Sequence, residues 1–194
     1  MSNTPQRGRP RSESSRKAII TSTIALIEIL GYEKLKIADI AKEAGVGKQT
    51  IYRWWNSKAE LIIEAVLEDA KEYVAIPNTG NLSGDLREVI KSSCHRIRTN
   101  ASKNMLSGLL MAGRKNAETL SLFREKFIHS RRDFIRQIFH KHSRQKGLKS
   151  DLNIELLLDL IFGAMWYRLL MEHAPLSDTF AEELVDHIDK LVMQ

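Results

Sequence analysis

One cysteine, four prolines and three tryptophans are all that 194 residues contain of those types. With Cys94 alone no disulfide can close within the chain, so a packed core must hold the fold, and a cytoplasmic setting fits. The scarcity of proline, the dominance of Leu, Ile, Ala, Glu, Lys and Arg, and the lack of β-rich stretches marked by regular turns argue for an all-α fold. No apolar run approaches the roughly 20 residues of a membrane span, so no membrane partner is expected. The opening MSNTPQRGRPRSESSRK has no apolar centre of the kind a signal peptide needs, so export is not expected. Signs of enzyme chemistry are missing as well: there is no HExxH, no Gly-rich phosphate loop and no nucleophile elbow. Among the six histidines, His95, His129, His140, His142, His173 and His187, the pair His140 and His142 stands two apart on a helix and diverges. Cys94 and His95, as chain neighbours, diverge too. No catalytic residue, cofactor or metal site is expected.

What the chain does have is positive charge in one place. Its net charge is +6; residues 1–60 carry 11 Lys and Arg against 6 Asp and Glu, and the rest carry 19 against 18. Such a block suits an anionic partner, whether DNA, RNA or a membrane surface, or it serves solubility alone. Residues 1–11, with Arg7, Arg9 and Arg11 around Gly8 and Pro10, hold too little apolar material to pack and form a mobile basic arm.

Apolar spacing then predicts helices. The first runs from Ser12 or Ser15 to Leu30, with Ile20, Ile24, Ile27 and Leu30 on one face and Gly31 ending it. The second is KIADIAKEAG, where Ile37, Ile40, Ala41 and Ala44 follow the i, i+3, i+4, i+7 rule and Gly45 turns the chain with left-handed backbone. The third is KQTIYRWW: Ile51 and Trp55 face inward with Val46, leaving Lys48, Gln49, Thr50 and Arg53 outside. Two short helices about a glycine turn have the dimensions of a helix-turn-helix, and Ala41 lets them cross closely. The outward donors, acceptors and aromatics match what base edges, thymine methyls and phosphates need. A small helical bundle with a solvated basic face would carry the same residues. Ser57 followed by Glu60 is a capping box for a fourth helix reaching about Ala75. Lys58 beside the free N–H groups at its start suits a phosphate, or simply a well-capped helix.

The stretch ALIEILGYEKLKIADIAKEAGVGKQTIYRWWNSKAELI carries a resemblance. With Gly31-Tyr32, Ile40-Ala41, Ala44-Gly45-Val46, Ile51-Tyr52, Lys58 and Leu61 spaced as they are, residues 16–62 resemble the DNA-binding domain of the TetR family of bacterial transcriptional regulators. There are two departures. Ile37 stands where the family usually opens the second helix with Thr or Ser, which weakens that cap, and Trp54-Trp55 replace the commoner His-Phe pair. The resemblance implies a DNA reader over residues 12–57, then a linking helix with a larger ligand-binding and dimerisation domain over 58–194. It implies Lys48, Gln49 and Thr50 at base edges or nearby phosphates, Tyr52 and the Trp54 indole N–H on the sugar-phosphate backbone, and Lys58 on a phosphate. Arg53 joins them on helix geometry. The arm residues Arg7, Arg9 and Arg11 either enter the adjacent minor groove or remain a salt-sensitive tail.

AIPNTGNLSGD, residues 75–85, has the composition of a boundary. Helical patterns follow over about 83–100, 102–114, 117–146, 151–173 and 178–192, with Gly147 breaking the third and Ser150 and Ser177 as caps. Leu156, Leu160, Gly163, Tyr167 and Leu170 form one stripe, and Phe180, Leu184, Ile188 and Leu191 another. Paired with a second copy these helices would close a four-helix interface, or the stripes serve the monomer's own core. An effector pocket is expected among Met105, Leu109, Met111, Phe123, Phe127, Phe162, Met165 and Trp166, with His95 and Arg98 as polar contacts. The resemblance implies a sequence-specific, ligand-released repressor. It would act as a homodimer on a palindromic double-stranded DNA operator and take a small apolar or aromatic effector, cationic or amphiphilic variants included. A structural DNA-binding protein without an effector is the alternative.

Overall fold

In a computed structural model of the chain, which describes residues 12–71, 76–144 and 147–193, each expected helix is found, but the third ends at Tyr52 and not Trp55, the one expected over 117–146 ends at Lys141, and the fourth's expected end near Ala75 lies outside the described residues. α1 (Glu13–Lys34), α2 (Ile37–Glu43), α3 (Lys48–Tyr52) and α4 (Lys58–Lys71) make the N-terminal part. α5 (Leu82–Ile97), α6 (Asn100–Lys115), α7 (Ala117–Leu122), α8 (His129–Lys141), α9 (Ile154–Met171) and α10 (Asp178–Val192) make the rest, with α7 passing into α8 through a π-helical stretch, Phe123–Ile128. The fold is all-α: among the described residues the β-type pairing is an isolated bridge between Leu148 and Met193. No helix of the described residues is long and apolar enough to cross a membrane. The basic arm, with Arg7, Arg9 and Arg11, lies outside the described residues.

Short polar side chains start the helices by accepting orphan backbone N–H bonds, each worth about 1 kcal/mol. Ser12 accepts from Ser15, Asn81 from Gly84, Thr99 from Ser102, Asn116 from Thr119 and Ser177 from Phe180. α9 is capped by Asn153, not by the expected Ser150, and therefore begins three residues later than the pattern suggested. Gly31 takes φ 68 and interrupts α1 without ending it; one further turn carries the chain to Lys34.

α1 packs against α4 and α6, α5 against α10, and α8 against α5 and α9. One apolar core runs from Ile19, Ile40, Ile51 and Leu61 in the N-terminal part to Leu86, Ile90, Ile138, Leu158 and Val185 beyond it. α6 approaches α1 so closely at Gly108 that a Cβ there would lie 2.4 Å from the Tyr32 Cβ. α10 corrects the expected stripe. Phe180, Ala181, Val185, Ile188 and Val192 point inward, so Phe180 and Ile188 belong to the monomer core, while Leu184 is half-buried and Leu191 exposed. Ser83–Asp189 at 2.6 Å, Arg87–Asp186 at 2.9 Å and Lys91–Glu182 hold α5 to α10 on the polar side.

Asp85 is fully buried. Its carboxylate accepts from the Thr79 N–H and hydroxyl (2.7 Å each), from Lys141 Nζ (2.9 Å) and from His142 Nε2 (2.8 Å), tying the 76–81 connection to the end of α8. Burial alone would raise this carboxyl; the donors from His142, Lys141 and Thr79 outweigh it and hold the group far below the ordinary aspartate range.

Candidate nucleic-acid interface and ligand chamber

A helix as short as α3 has no stability of its own; tertiary anchors must hold it. Gly45 (φ 65) makes the turn before it, and the Val46 N–H bonds the Ala41 carbonyl at 2.9 Å. From beneath, Ile51 and Trp55 are fully buried. The Trp55 indole N–H donates to Glu64 on α4 at 2.9 Å, and the other Glu64 oxygen takes Arg16 from α1. This Arg16–Glu64–Trp55 chain ties the connection just after α3 to α1 and α4, and the sequence reading missed it because its members are 9 and 48 residues apart.

The upper face presents Lys48, Gln49, Tyr52 and Arg53 to solvent and Thr50 at half burial, so the expected set shares one surface. Trp54 is half-buried and packs beside Trp55, ring centroids 6.1 Å apart. Lys58 is placed differently from the expectation. Its ammonium turns onto the protein, donating to the Tyr32 carbonyl at 2.8 Å and the Leu35 carbonyl at 3.1 Å, with the Tyr32 ring centroid 4.3 Å away. Burial pushes it below the ordinary lysine value, against the pull of Glu33. α2 lacks the family's usual cap at Ile37, yet the Asp39 carboxylate accepts the Lys36 N–H at 3.2 Å and supplies half of a capping box. At the start of α4, Ser57 accepts from the Glu60 N–H, while the Glu60 carboxylate takes the Asn56 N–H at 2.8 Å and Lys126 Nζ at 3.0 Å. Burial would raise Glu60; Asn56 and Lys126 more than offset it and keep the group below its ordinary value.

Farther along α1 and α4 the helices part around a chamber of about 150 Å³. Ile24, Ile27 and Glu28 of α1, Val66 of α4, and five of the expected residues, Met105, Phe127, Phe162, Met165 and Trp166, line it. The other expected residues sit elsewhere. Leu109 is plain core; Phe123 stacks behind Phe127 with centroids 5.3 Å apart and meets Trp166 edge-on at 6.2 Å; Met111 is exposed. His95 and Arg98 face outward, bonded to each other at 2.7 Å, with Arg98 reaching Asp178 at 3.4 Å. The cations on the chamber wall are instead Arg96 and Arg131. Phe127 was already a candidate, and Arg131 follows it by four, so helical spacing held the signal.

α9 is apolar on opposite sides. Leu157, Leu158, Ile161, Met165 and Leu169 face the core. Leu156, Leu160, Tyr167 and Met171 are exposed, Tyr167 at 61%, and a side chain at Gly163 would meet nothing within 4 Å. Leu170, expected in that outer stripe, is half-buried. Cys94 is buried, which pushes its thiol up to about 11 and leaves it no use as a nucleophile.

Two family models match the chain. "Bacterial regulatory proteins, tetR family" covers residues 19–65, and "Tetracyclin repressor-like, C-terminal domain" covers 76–188. The chain belongs to the TetR family. A relative from Bacillus subtilis, the uncharacterized HTH-type transcriptional regulator YdeS, is 31% identical over 180 residues, covering 93% of this chain and 90% of that one. The DNA-binding transcriptional repressor TetR of Mycobacteroides abscessus is 28% identical, covering 92% and 93%. The crystal structure of the TetR family transcription regulator SCO0332 superposes with a TM-score of 0.81 at 24% identity over 93% of this chain and all of that one, which shows a shared fold. The relatives are helix-turn-helix regulators of transcription, and this TetR-family chain is a regulator, not an enzyme.

Proposed function

We propose that this regulator is a ligand-released repressor that binds a palindromic operator as a homodimer, in the cytoplasm beside the chromosome. One observation carries the reading: the two helices that anchor the recognition helix, α1 and α4, also form part of the chamber wall, through Ile24, Ile27 and Val66. Lys48, Gln49 and Thr50 meet base edges, and Tyr52, Arg53 and Trp54 meet the backbone of the duplex. Lys58 fixes the angle between α4 and the α1–α2 connection. The domain division is a reader over residues 12–57 followed by a linking helix and effector domain. Two copies join through the outward face of α9, with Leu184 and Leu191 of α10 at its edge, since an apolar helix face of this length is normally covered. The heads then meet successive major grooves about 34–36 Å apart. A ligand favouring another spacing weakens operator binding by its differential affinity for the two states. The chamber favours this over a structural DNA-binding protein, which needs none.

A footprint of the purified chain on the promoter region flanking its own gene tests it. Two symmetric protected half-sites one helical turn apart, in successive major grooves, are expected. Uniform protection without a preferred site would overturn the specific-repressor reading in favour of the structural one.

A further inference from the structure

Three arginines stand near one another on α8, and their surroundings differ. Arg132 bonds Glu155 at 2.8 Å and Asp159 at 2.6 Å, and Arg136 bonds Glu155 and Asp133. Arg131 makes no such pair among the described residues; it borders the chamber, a smaller cavity of about 80 Å³ beside it, and a third of about 330 Å³ shared with Arg132 and Asp159. Among the described residues no carboxylate lies within ion-pair distance of Arg131; its contact is with the Phe127 ring, 5.4 Å from the guanidinium carbon. The charge that acts on it is a like one. Arg96 of α5 borders the chamber and the smaller cavity, and burial together with Arg96 pushes the Arg131 guanidinium below its ordinary value. Glu28 lies on the exposed rim of the chamber and Glu88 on that of the smaller cavity, and the remaining walls are mostly apolar. A half-buried guanidinium with no carboxylate in reach is unfavourable until a counter-charge arrives.

We propose that the chamber takes a small organic anion, its head between Arg131 and Arg96 where the two cavities meet and its apolar body against Ile27, Phe162 and Trp166. The proposal rests on the ligand-response reading of the same chamber and narrows it. A neutral apolar effector leaves Arg131 without a counter-charge, and a cationic one adds like charge beside it. The hydroxyl of Ser93, which lines both cavities, stands beside the place of the head. Guanidinium and carboxylate or phosphate match as a fork of donors and a pair of acceptors.

Three probes built on ten-carbon chains compare the heads: decanoate, decanol and decyltrimethylammonium, titrated calorimetrically into the intact chain without DNA. Decanoate should bind at least about tenfold more tightly than either other probe, because only it supplies a counter-charge. Arg131→Met should remove that advantage, leave decanol affinity unchanged, and keep or raise the thermal midpoint, since a like-charge contact is gone. Arg131→Lys should restore part of the preference for decanoate. Equal binding of the three probes, retention of the decanoate preference in Arg131→Met, or no saturable binding of decanoate overturns the proposal. Should decanol bind equally and also release operator DNA, the anion is refuted while ligand-released repression stands.

Discussion

Lys58 offers the sharpest test, because sequence and structure assign it different work. Replacing it with Met keeps the length of the stem over Tyr32 and removes the ammonium. Two charge-assisted hydrogen bonds to the Tyr32 and Leu35 carbonyls are then lost, together with the contact to the Tyr32 ring. Taken singly, each such bond contributes about 1.5–3 kcal/mol and the ring contact about 0.5–1 kcal/mol. Desolvation of the ammonium, shown by the lowered Lys58 value, offsets much of this. A net loss of about 1–2 kcal/mol remains, which for a chain of this size is about 2–8 °C in thermal midpoint. Circular dichroism melts give the midpoint, and operator binding across a salt series gives the second readout. If Lys58 is a positioning cation, the melt shifts down and the slope of log affinity against log salt stays as in wild type. If it is a phosphate ligand, the slope falls by about one and affinity drops for all sequences alike. An unchanged melt with the reduced slope refutes the structural argument.

Other outcomes follow from the same geometry. Replacing Lys48, Gln49 and Thr50 together by Ala should abolish specific operator binding, a loss of about 1–3 kcal/mol for each good base contact, with the melt shifted little; a matching loss of thermal stability would count against direct readout. Gly163→Leu adds bulk where the monomer has open space, so the chain should fold normally yet sediment as a monomer; a persistent dimer places the interface away from α9. Asp85→Asn should destabilise by about 3–5 kcal/mol at pH 7, because it strips the carboxylate from Lys141 and His142 inside the fold. The native Asp85 carboxyl is held below its unfolded value, so its contribution is complete above about pH 4 and lost as pH falls through the native value. Urea unfolding at pH 7 and pH 3 should therefore show a smaller difference for the variant than for wild type; equal differences would refute the role of Asp85.

How much of this was legible in the sequence depended on whether a signal was local. The reader helices were, because Ile40, Ala41, Ile51 and Trp55 recur at helical spacing around a glycine turn, and they are buried as that spacing requires. The orientation of α10 was not. Phe180, Leu184, Ile188 and Leu191 fit a helical stripe as well as Phe180, Ala181, Val185, Ile188 and Val192 do, and α5 decides between them. Lys58 has a stem long enough to reach outward or back, so its type was readable and its direction was not. Arg96 was passed over for His95 and Arg98 because one residue is about 100° of helix rotation. The Asp85 network joins residues 56 and 57 apart, beyond any local pattern.

On the proposed reading, the same contacts decide how occupancy of the chamber would reach the DNA. Val66 touches the chamber and Trp55 anchors the connection just past the recognition helix; along the axis of α4, the eight residues from Lys58 to Val66 span about 12 Å. Glu64 lies between them and carries both Trp55 and Arg16, so the segment leaving α3 is tied to α4 and α1. Tyr32 is trapped between Lys58 and Gly108, which fixes one point of the head against α6. With that point held, a ligand parting α4 from α9 rotates the head about Tyr32 and does not slide it. A rotation of about 8° over 12 Å moves each recognition helix by roughly 1.7 Å, and two heads moving oppositely change their spacing by roughly 3 Å, about the rise of one base pair. Small motions at the chamber therefore suffice for release, provided the joint at Tyr32 stays tight, which is why the Lys58 clasp and the absence of a side chain at Gly108 matter to the response as much as the residues that touch DNA.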